Sequence, residues 1–272
     1  VQKHAVLARI LAYLQRKPAA FRVIDTHTGA GRYDLLGPEP SRGAEWHNGI
    51  ERLWNMRGQG GAPASLLAPY LKAVEALNPD GKLRFYPGSP LIAASLLRPQ
   101  DRLIACELEP DAAALLAAAL RGNRRAKAVT IDGWTALGAY VPPKERRGLV
   151  VIDPPFEETG EFERLSSAFS DAYRKWPTGI YLMWYPIKER SGPDALARRL
   201  QRLGVPDILR CEMMLGAPRS DAGLVGSGLI VVNPPHTLQP DLQRLMPVIA
   251  RRLSPTAASR IDWLAEETVP SR

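Results

Sequence analysis

A chain of 272 residues with 45% hydrophobic and 24% charged side chains can bury a sizeable core, which excludes a disordered or fibrous protein. Its formal net charge of +8 favours an anionic partner without naming one. Cys106 and Cys211 match no metal-ligand or redox spacing, and no apolar stretch approaches the roughly 20 residues that span a bilayer, so a monomeric cytoplasmic protein without metal or membrane is expected.

Val6, Leu7, Ile10, Leu11 and Leu14 recur at helical spacing and predict an amphipathic helix over 3–16. Phe21–Asp25 reads as a short buried strand running into Thr26-His27-Thr28-Gly29-Ala30-Gly31. Within a single domain of 1–272, the stretch Gly37–Gly81 turns helical and polar, with helices expected over 45–56 and 64–77; it reads as a helical insertion subdomain. Pro87-Gly88-Ser89-Pro90 then opens a helix reaching Arg98.

From there strands and helices alternate. Strands are expected at Arg102–Glu107, Ala128–Ile131, Gly148–Asp153 and Gly179–Trp184, and helices at Asp111–Leu120, Glu161–Lys175 and near Ala195–Leu203. Ile208–Leu215 and Ser227–Asn233 look like a closing pair of strands. Continuous apolar strands alternating with helices imply a mainly parallel sheet covered on both faces, a doubly wound α/β architecture.

Ligands of such sheets bind beyond the carboxyl ends of the strands. Asp25, Glu107, Asp132 and Asp153 all stand at or just past predicted strand ends, so the fold would converge them on one crevice. The glycines of the turn, Gly29 and Gly31, let backbone approach a ligand closely. A dinucleotide fingerprint would want a third glycine where Asp34 stands, which disfavours NAD. S-adenosylmethionine suits the set better: the glycine turn for its amino-acid moiety, Glu107 accepting both ribose hydroxyls, and Asp132-Gly133 for the adenine. The plainer readings are a helix-capping role for Glu107 and a buried, satisfied ring for His27. His4, His47 and His236 share no ligand spacing with His27, so no metal site is expected.

Asp153-Pro154-Pro155-Phe156 is the most informative tetrapeptide. An exocyclic amine such as adenine N6 is a poor nucleophile, because its lone pair is delocalised into the ring. A carboxylate from Asp153 and the carbonyl of Pro154 can each accept one N–H and aim the lone pair at a methyl donor. The prolines stiffen that acceptor arc, and Phe156 can stack on the base. Asn233-Pro234-Pro235-His236 also follows an apolar strand, but it lacks the aromatic residue and is placed on the last strand at the far side of the sheet, without chemistry. Trp184-Tyr185-Pro186 ends another strand and could wall the base pocket. The insertion and the basic runs Arg121–Lys127, Lys144–Arg147 and Arg198–Arg202 are candidates for holding a nucleic-acid backbone.

Over nearly its whole length the chain resembles the RlmJ-type 23S ribosomal RNA adenine-N6 methyltransferases. The resemblance rests on KHAVL near the start, DTHTGAGRY, YPGSPLIA, CELEP, IDGW, RRGLVVIDPPFE, TGIYLMWYP and SGLIVVNPP. It implies a class I S-adenosylmethionine-dependent methyltransferase fold (Rossmann-like) with a helical subdomain after the first strand, S-adenosylhomocysteine as product, and protein-free 23S rRNA as substrate. It further implies that Lys3, His27, Ser89, Glu107, Asp132 and Gly133 contact the cofactor and that Asp153 faces the target amine. A short His- and aromatic-containing segment ahead of the Val1 position would help close the site. From the residues alone, Lys3 reads as a surface lysine and Ser89 as a helix cap. Two rivals stay open: a DNA adenine-N6 methyltransferase, and a non-enzymatic RNA-binding protein with a relic cofactor pocket.

Overall fold

Short apolar runs set the inner strands of the sheet, and the amphipathic segments between them set the helices. The computed structural model describes residues 1–37, 46–216 and 223–266. Helix α1 (Gln2–Leu14) leads into strand β1 (Arg22–Asp25) and a short strand β2 (Arg32–Asp34). Helices α2 (Ile50–Trp54) and α3 (Ala62–Ala76), strand β3 (Phe85–Pro87) and helix α4 (Ser89–Ser95) follow. Alternation then begins with β4 (Arg102–Glu107), α5 (Pro110–Ala119), β5 (Ala126–Thr130) and α6 (Gly133–Tyr140). It continues through β6 (Gly148–Ile152), α7 (Glu161–Lys175), β7 (Ile180–Ile187) and α8 (Ser191–Arg202). The described chain closes with β8 (Ile208–Met214), β9 (Gly226–Val232), α9 (Leu238–Leu253) and β10 (Ala258–Ala265).

One eight-stranded sheet has the order β10-β8-β9-β7-β6-β1-β4-β5, and β2 pairs with β3 in a separate antiparallel ribbon. Strands β5, β4, β1, β6 and β7 are mutually parallel. The chain moves from β1 outward to β4 and β5, then returns to lay β6 along the other side of β1. The β1/β6 junction is therefore the switch point, beyond whose carboxyl ends a crevice opens. This is the doubly wound architecture that the alternation implies, and the class I Rossmann-like fold that the resemblance implies.

Side-chain alternation divides the core between the two sheet faces. Val23, Leu103, Leu149, Val151 and Leu182 face α1, α3, α4 and α9, whereas Ile24, Val150, Ile152 and Met183 face α7 and α8. Val6, Leu7, Ile10 and Leu11 make α1 a core helix, all at 0% exposure; burying each stabilises by about 1.5–3 kcal/mol. Leu53, Leu67, Tyr70 and Val74 of α2 and α3 join that same cluster, so the described part of the stretch between β2 and β3 shares its core with the sheet. Residues 38–45, which include the expected helix start at Glu45, lie outside the described residues, and α2 begins at Ile50.

The closing part of the sheet differs from expectation. Strand β9 is neither last nor lateral: it lies between β7 and β8, antiparallel to both, and β10 forms the edge. The pairing Tyr181↔Val232 carries Asn233 to the amino end of β7, opposite to Asp153. Asn233 Nδ2 there donates to the carbonyls of Pro177 and Gly179, both at 2.7 Å, and holds a turn.

Candidate active site

Asp25 is the last residue of β1, in register with Val151 of β6 and Ala105 of β4. Two positions beyond Val23, it faces the α1 and α4 side of the sheet. Asp153 follows the last residue of β6. On that side Lys3, in the first turn of α1, joins its Nζ to Asp153 Oδ2 in an ion pair. Burial works against the Lys3 charge, but the Asp153 carboxylate more than offsets it, with Asp25 and Tyr33 adding, and raises the ammonium above its ordinary value. Asp25 itself is wholly buried, and neither carboxylate oxygen has a partner at hydrogen-bonding geometry. Burial pushes its carboxyl up to about 7, against the pull of Lys3 and of the nearby Ser89 hydroxyl.

The turn leaving β1 is stitched to both neighbouring strands. Thr26 gives its backbone N–H and its hydroxyl to the Val151 carbonyl, each at 3.0 Å. Thr28 does the same to the Cys106 carbonyl at 3.1 and 3.0 Å. Gly29 and Gly31 then take φ values of 60° and 76°, and a Cβ on Gly29 would collide with the Tyr33 hydroxyl. Gly88 N donates to Gly31 O at 2.7 Å, which brings α4 against the turn and buries Ser89 beside Asp25. Ser89 is the first helical residue and Gly88 the cap position, with no side-chain cap bond, so the helix-cap reading of Ser89 is replaced by a place in the site.

Glu107 closes β4. Its Oε2 accepts from Gly29 N at 2.7 Å, and its Oε1 accepts from Leu108 N and Glu109 N at 2.9 and 3.0 Å. The carboxylate fixes the glycine turn and keeps one lone pair, on Oε2, for a ribose hydroxyl. The cap of α5 is Glu109, whose side chain accepts from Asp111 N and Ala112 N, so Glu107 is no helix cap. Asp132 does cap a helix, α6: its Oδ2 accepts from Thr135 N at 2.8 Å and Thr135 Oγ1 at 2.9 Å. Burial is outweighed there by the Thr135 bonds and the Arg164 charge, which hold its carboxyl below the usual range.

Gly133 is buried where a Cβ would collide with the Thr26 carbonyl and stand 2.5 Å from His27 Nε2. Only glycine lets the turn after β5 lie against the turn after β1. His27 Nδ1 meets Thr26 Oγ1 at 2.7 Å, and its ring stands edge-on to Trp134 with centroids 5.0 Å apart. Burial lowers its pKa to about 4 in spite of Asp153, Asp132 and Glu107, so the ring is neutral near pH 7.

After Asp153, Pro154 is buried and Pro155 exposed. Phe156 has φ 55°, a conformation that bulky residues rarely adopt and that costs of order 1–3 kcal/mol. Packing holds it there, with ring centroids 4.9 Å from Phe162 and 5.9 Å from Trp184. The pairing Ile152↔Met183 sets Trp184 laterally beside Asp153. The structure thus gathers Lys3, Asp25, His27, Gly29, Gly31, Ser89, Glu107, Asp132, Gly133 and Asp153 around one strand-end crevice.

The basic runs are placed otherwise. Arg121–Lys127 and Lys144–Arg147 precede or open β5 and β6, and Arg198–Arg202 ends α8, so all three stand at the amino ends of the parallel strands. Arg147 is occupied there, donating to the carbonyls of Ala19 and Leu14 at 2.8 and 2.5 Å. Besides Lys3, a cation near the site is Arg164 of α7, whose guanidinium lies 5.0 Å from the centroid of the Trp134 ring. Neither Arg164 nor Trp134 stands out in sequence, because their meeting depends on how α7 packs beside α6. Among the described residues no His, Cys, Asp and Glu group is arranged to hold a metal ion, and no helix is long and apolar enough to cross a membrane.

S-adenosylmethionine carries an α-ammonium, an α-carboxylate, a ribose diol and a purine. The orphaned Asp25 carboxylate, the Lys3 ammonium and the remaining lone pair of Glu107 match the ammonium, the carboxylate and a ribose hydroxyl in chemical type.

The family model described as "Ribosomal RNA large subunit methyltransferase D, RlmJ" matches residues 18–265. The chain is 37% identical over 269 residues to ribosomal RNA large subunit methyltransferase J of Escherichia coli (strain K12), spanning 98% of this chain and 95% of that protein. It is 37% identical over 270 residues to the Haemophilus influenzae protein of the same name, with 98% and 95% covered. Among solved structures, the crystal structure of protein LPL1258 from Legionella pneumophila aligns with a TM-score of 0.89 at 31% identity, over 98% of this chain and 96% of that one.

Proposed function

The chain belongs to the RlmJ family of ribosomal RNA large subunit methyltransferases, and from that premise we propose that it transfers a methyl group from S-adenosylmethionine to the N6 amine of an adenine in 23S ribosomal RNA. The observation that carries the N6 assignment is Asp153 at the end of β6, followed by Pro154, Pro155 and a strained, aromatic-packed Phe156.

When bound, S-adenosylmethionine supplies an electrophilic methyl group on a sulfonium centre. Lys3 occupies Asp153 Oδ2, which leaves Oδ1 to accept one amine N–H while the Pro154 carbonyl accepts the other. Holding both N–H groups turns the nitrogen lone pair out of conjugation. The surplus proton leaves through Asp153 during or after transfer. Phe156 offers a stacking face for the base, with Trp184 as a second aromatic wall. On the cofactor side, Glu107 takes a ribose hydroxyl, and His27, Asp132 and Gly133 shape the adenine slot. Arg164 offers a cation to the RNA backbone at the rim. A base must be unpaired or extruded to reach Asp153, which fits protein-free 23S rRNA.

Tritiated S-adenosylmethionine incubated with deproteinised 23S rRNA, with assembled large subunits and with duplex DNA tests the reading. Labelled N6-methyladenosine from the free RNA, lost with Asp153→Asn, is expected. Label in DNA alone would overturn the substrate, label on another atom would overturn N6, and no label despite cofactor binding would favour a binding protein.

A further inference from the structure

Tyr185 of β7 and Glu212 of β8 stand two strands apart, because β9 lies between them and Gly228 is the register partner of both. At ordinary strand spacing that is about 10 Å, yet the Tyr185 hydroxyl donates to Glu212 Oε1 at 2.9 Å. The Tyr185 ring therefore lies across β9 at Gly228, where any Cβ would overlap its Cζ and hydroxyl. Burial and the adjacent carboxylate hold that hydroxyl well above its ordinary pKa, so it stays a donor. Glu212 Oε2 accepts from the Arg190 guanidinium at 2.9 Å, and Arg190 is the cap position that opens α8. The other branch of Arg190 donates to Asp194 Oδ1 at 2.7 Å, one turn into the helix. Glu212, only 2% exposed, thus fixes both a ring and a helix start.

Both of those parts wall in Phe162. Its ring centroid stands 6.3 Å from that of Tyr185, and a Cβ on Gly192, in the first turn of α8, would come within 2.5 Å of the ring. Phe162 in turn packs on Phe156, the residue held at φ 55°, with centroids 4.9 Å apart. A strained backbone persists only where its surroundings over-determine it, and Phe162 lies nearer to the Phe156 ring than Trp184 does. A buried ion pair is a weak source of stability, since apolar residues of similar volume often serve as well; what it supplies here is one defined arrangement. Resting on the reading that Phe156 stacks on the target base, we infer that Glu212 is a positioning residue for the Phe156 ring, acting on Phe162 through Tyr185 and the start of α8.

Strand β8 belongs to the antiparallel extension of the sheet, with β9, β7 and β6 between it and β1. The residues assigned to the cofactor stand around β1, β4 and β5, so a loosened Phe156 ring spares cofactor binding and shows in the RNA step alone. Glu212→Gln keeps an acceptor for Tyr185 but removes the charge that holds Arg190. Tyr185→Phe keeps the ring and removes its anchor to Glu212. Each lowers kcat/KM for RNA about tenfold, with cofactor Kd within about twofold of wild type. In a Phe156→Leu background the same two changes cost less than about twofold, because the ring they position is gone.

The test is a double-mutant cycle on the full chain. Methylation of deproteinised 23S rRNA from tritiated S-adenosylmethionine gives kcat/KM, and calorimetry gives the Kd of S-adenosylhomocysteine. Melting temperatures confirm each fold, and rates are taken well below them; if Glu212→Gln does not fold, Tyr185→Phe carries the cycle. Expected is a loss in kcat/KM that disappears in the Phe156→Leu background, at constant cofactor Kd. An equal loss in both backgrounds, no loss in either, or a parallel fall in cofactor affinity overturns the inference while leaving base stacking intact. Phe156→Leu with wild-type kcat/KM overturns the stacking reading, and the inference with it. No methylation by the unaltered chain overturns the methyl-transfer reading on which both stand.

Discussion

Lys3 and Asp153, 150 residues apart in sequence, form an ion pair that clamps the start of α1 over the carboxyl end of β6. In the proposed reaction the remaining oxygen, Asp153 Oδ1, serves the substrate amine, which separates the role of Asp153 from that of Glu107. Asp153→Asn keeps the shape and a hydrogen-bonding oxygen; it should lower kcat by about 100-fold or more while cofactor affinity shifts only a few-fold. Glu107→Ala frees the Gly29 turn and removes the ribose acceptor; it should weaken cofactor binding about tenfold or more. Calorimetric Kd and single-turnover rates on both variants check the division, and equal loss of affinity in both would contradict it.

Ligand-free stability should carry the mark of Asp25. Folding raises its carboxyl from 3.8 to about 7, so the native state holds a proton that the unfolded chain has already released in that window. Stability is then full below about pH 4 and falls as the pH rises to 7, by at most about 4 kcal/mol. Asp25→Asn removes this loss. Its melting temperature should exceed that of the wild type at pH 8, by less at pH 5, and converge with it only near pH 4.

His27 works in the opposite direction. Folding lowers its pKa from 6.5 to about 4, so the unfolded chain takes up a proton first as the medium is acidified. The native state loses stability between pH 6.5 and 4, by about 3 kcal/mol at most. His27→Gln should flatten this limb of the melting-temperature profile, and an unchanged slope would mean that the ring is protonated in the folded state.

Legibility in sequence follows local signal strength. Strand β4 and helix α7 fall on the boundaries expected from Arg102–Glu107 and Glu161–Lys175, because an unbroken apolar run and a strongly amphipathic repeat leave no alternative. Strand β7 runs on past Trp184 to Ile187: beyond Met183 only β9 lies beside it, so a proline at 186 can turn its missing N–H to the open side. Helix α9 escapes notice because Pro240 and Pro247 interrupt its leucine stripe, and edge strand β10 because Arg260 and Asp262 alternate through it. The three-residue strands β2 and β3 have no period to read. Within the site, the glycine turn and the strand-end acids are readable from the strand-end rule. Lys3 and Ser89 enter through family resemblance, since only tertiary packing of α1 and α4 brings them to Asp153 and Asp25.

The Gly133 contact predicts a steric effect confined to the cofactor side. Gly133→Ala places a methyl against the Thr26 carbonyl and the His27 ring, and neither backbone can yield without breaking the Thr26 bonds to Val151. Destabilisation of about 1–3 kcal/mol is expected, with a fall in cofactor affinity larger than that of Asp153→Asn. Paired melting and calorimetric measurements read both, and an alanine variant with wild-type Kd would show that this turn does not border the cofactor.

Asn233 supplies the converse control, because its Asn-Pro-Pro segment mimics the motif at Asp153 while standing at the other end of the sheet. Its amide bridges the carbonyls of Pro177 and Gly179, and its φ of 51° suits asparagine better than alanine. Asn233→Ala leaves the part-buried Gly179 carbonyl and the exposed Pro177 carbonyl without this donor and strains the backbone, so stability should fall by about 1–3 kcal/mol. Cofactor affinity and kcat, measured well below the melting temperature, should stay within about twofold of wild type, because the antiparallel direction of β9 keeps this proline pair remote from the crevice. A selective loss of kcat in Asn233→Ala would mean that motif chemistry, rather than strand direction, decides where the amine is held.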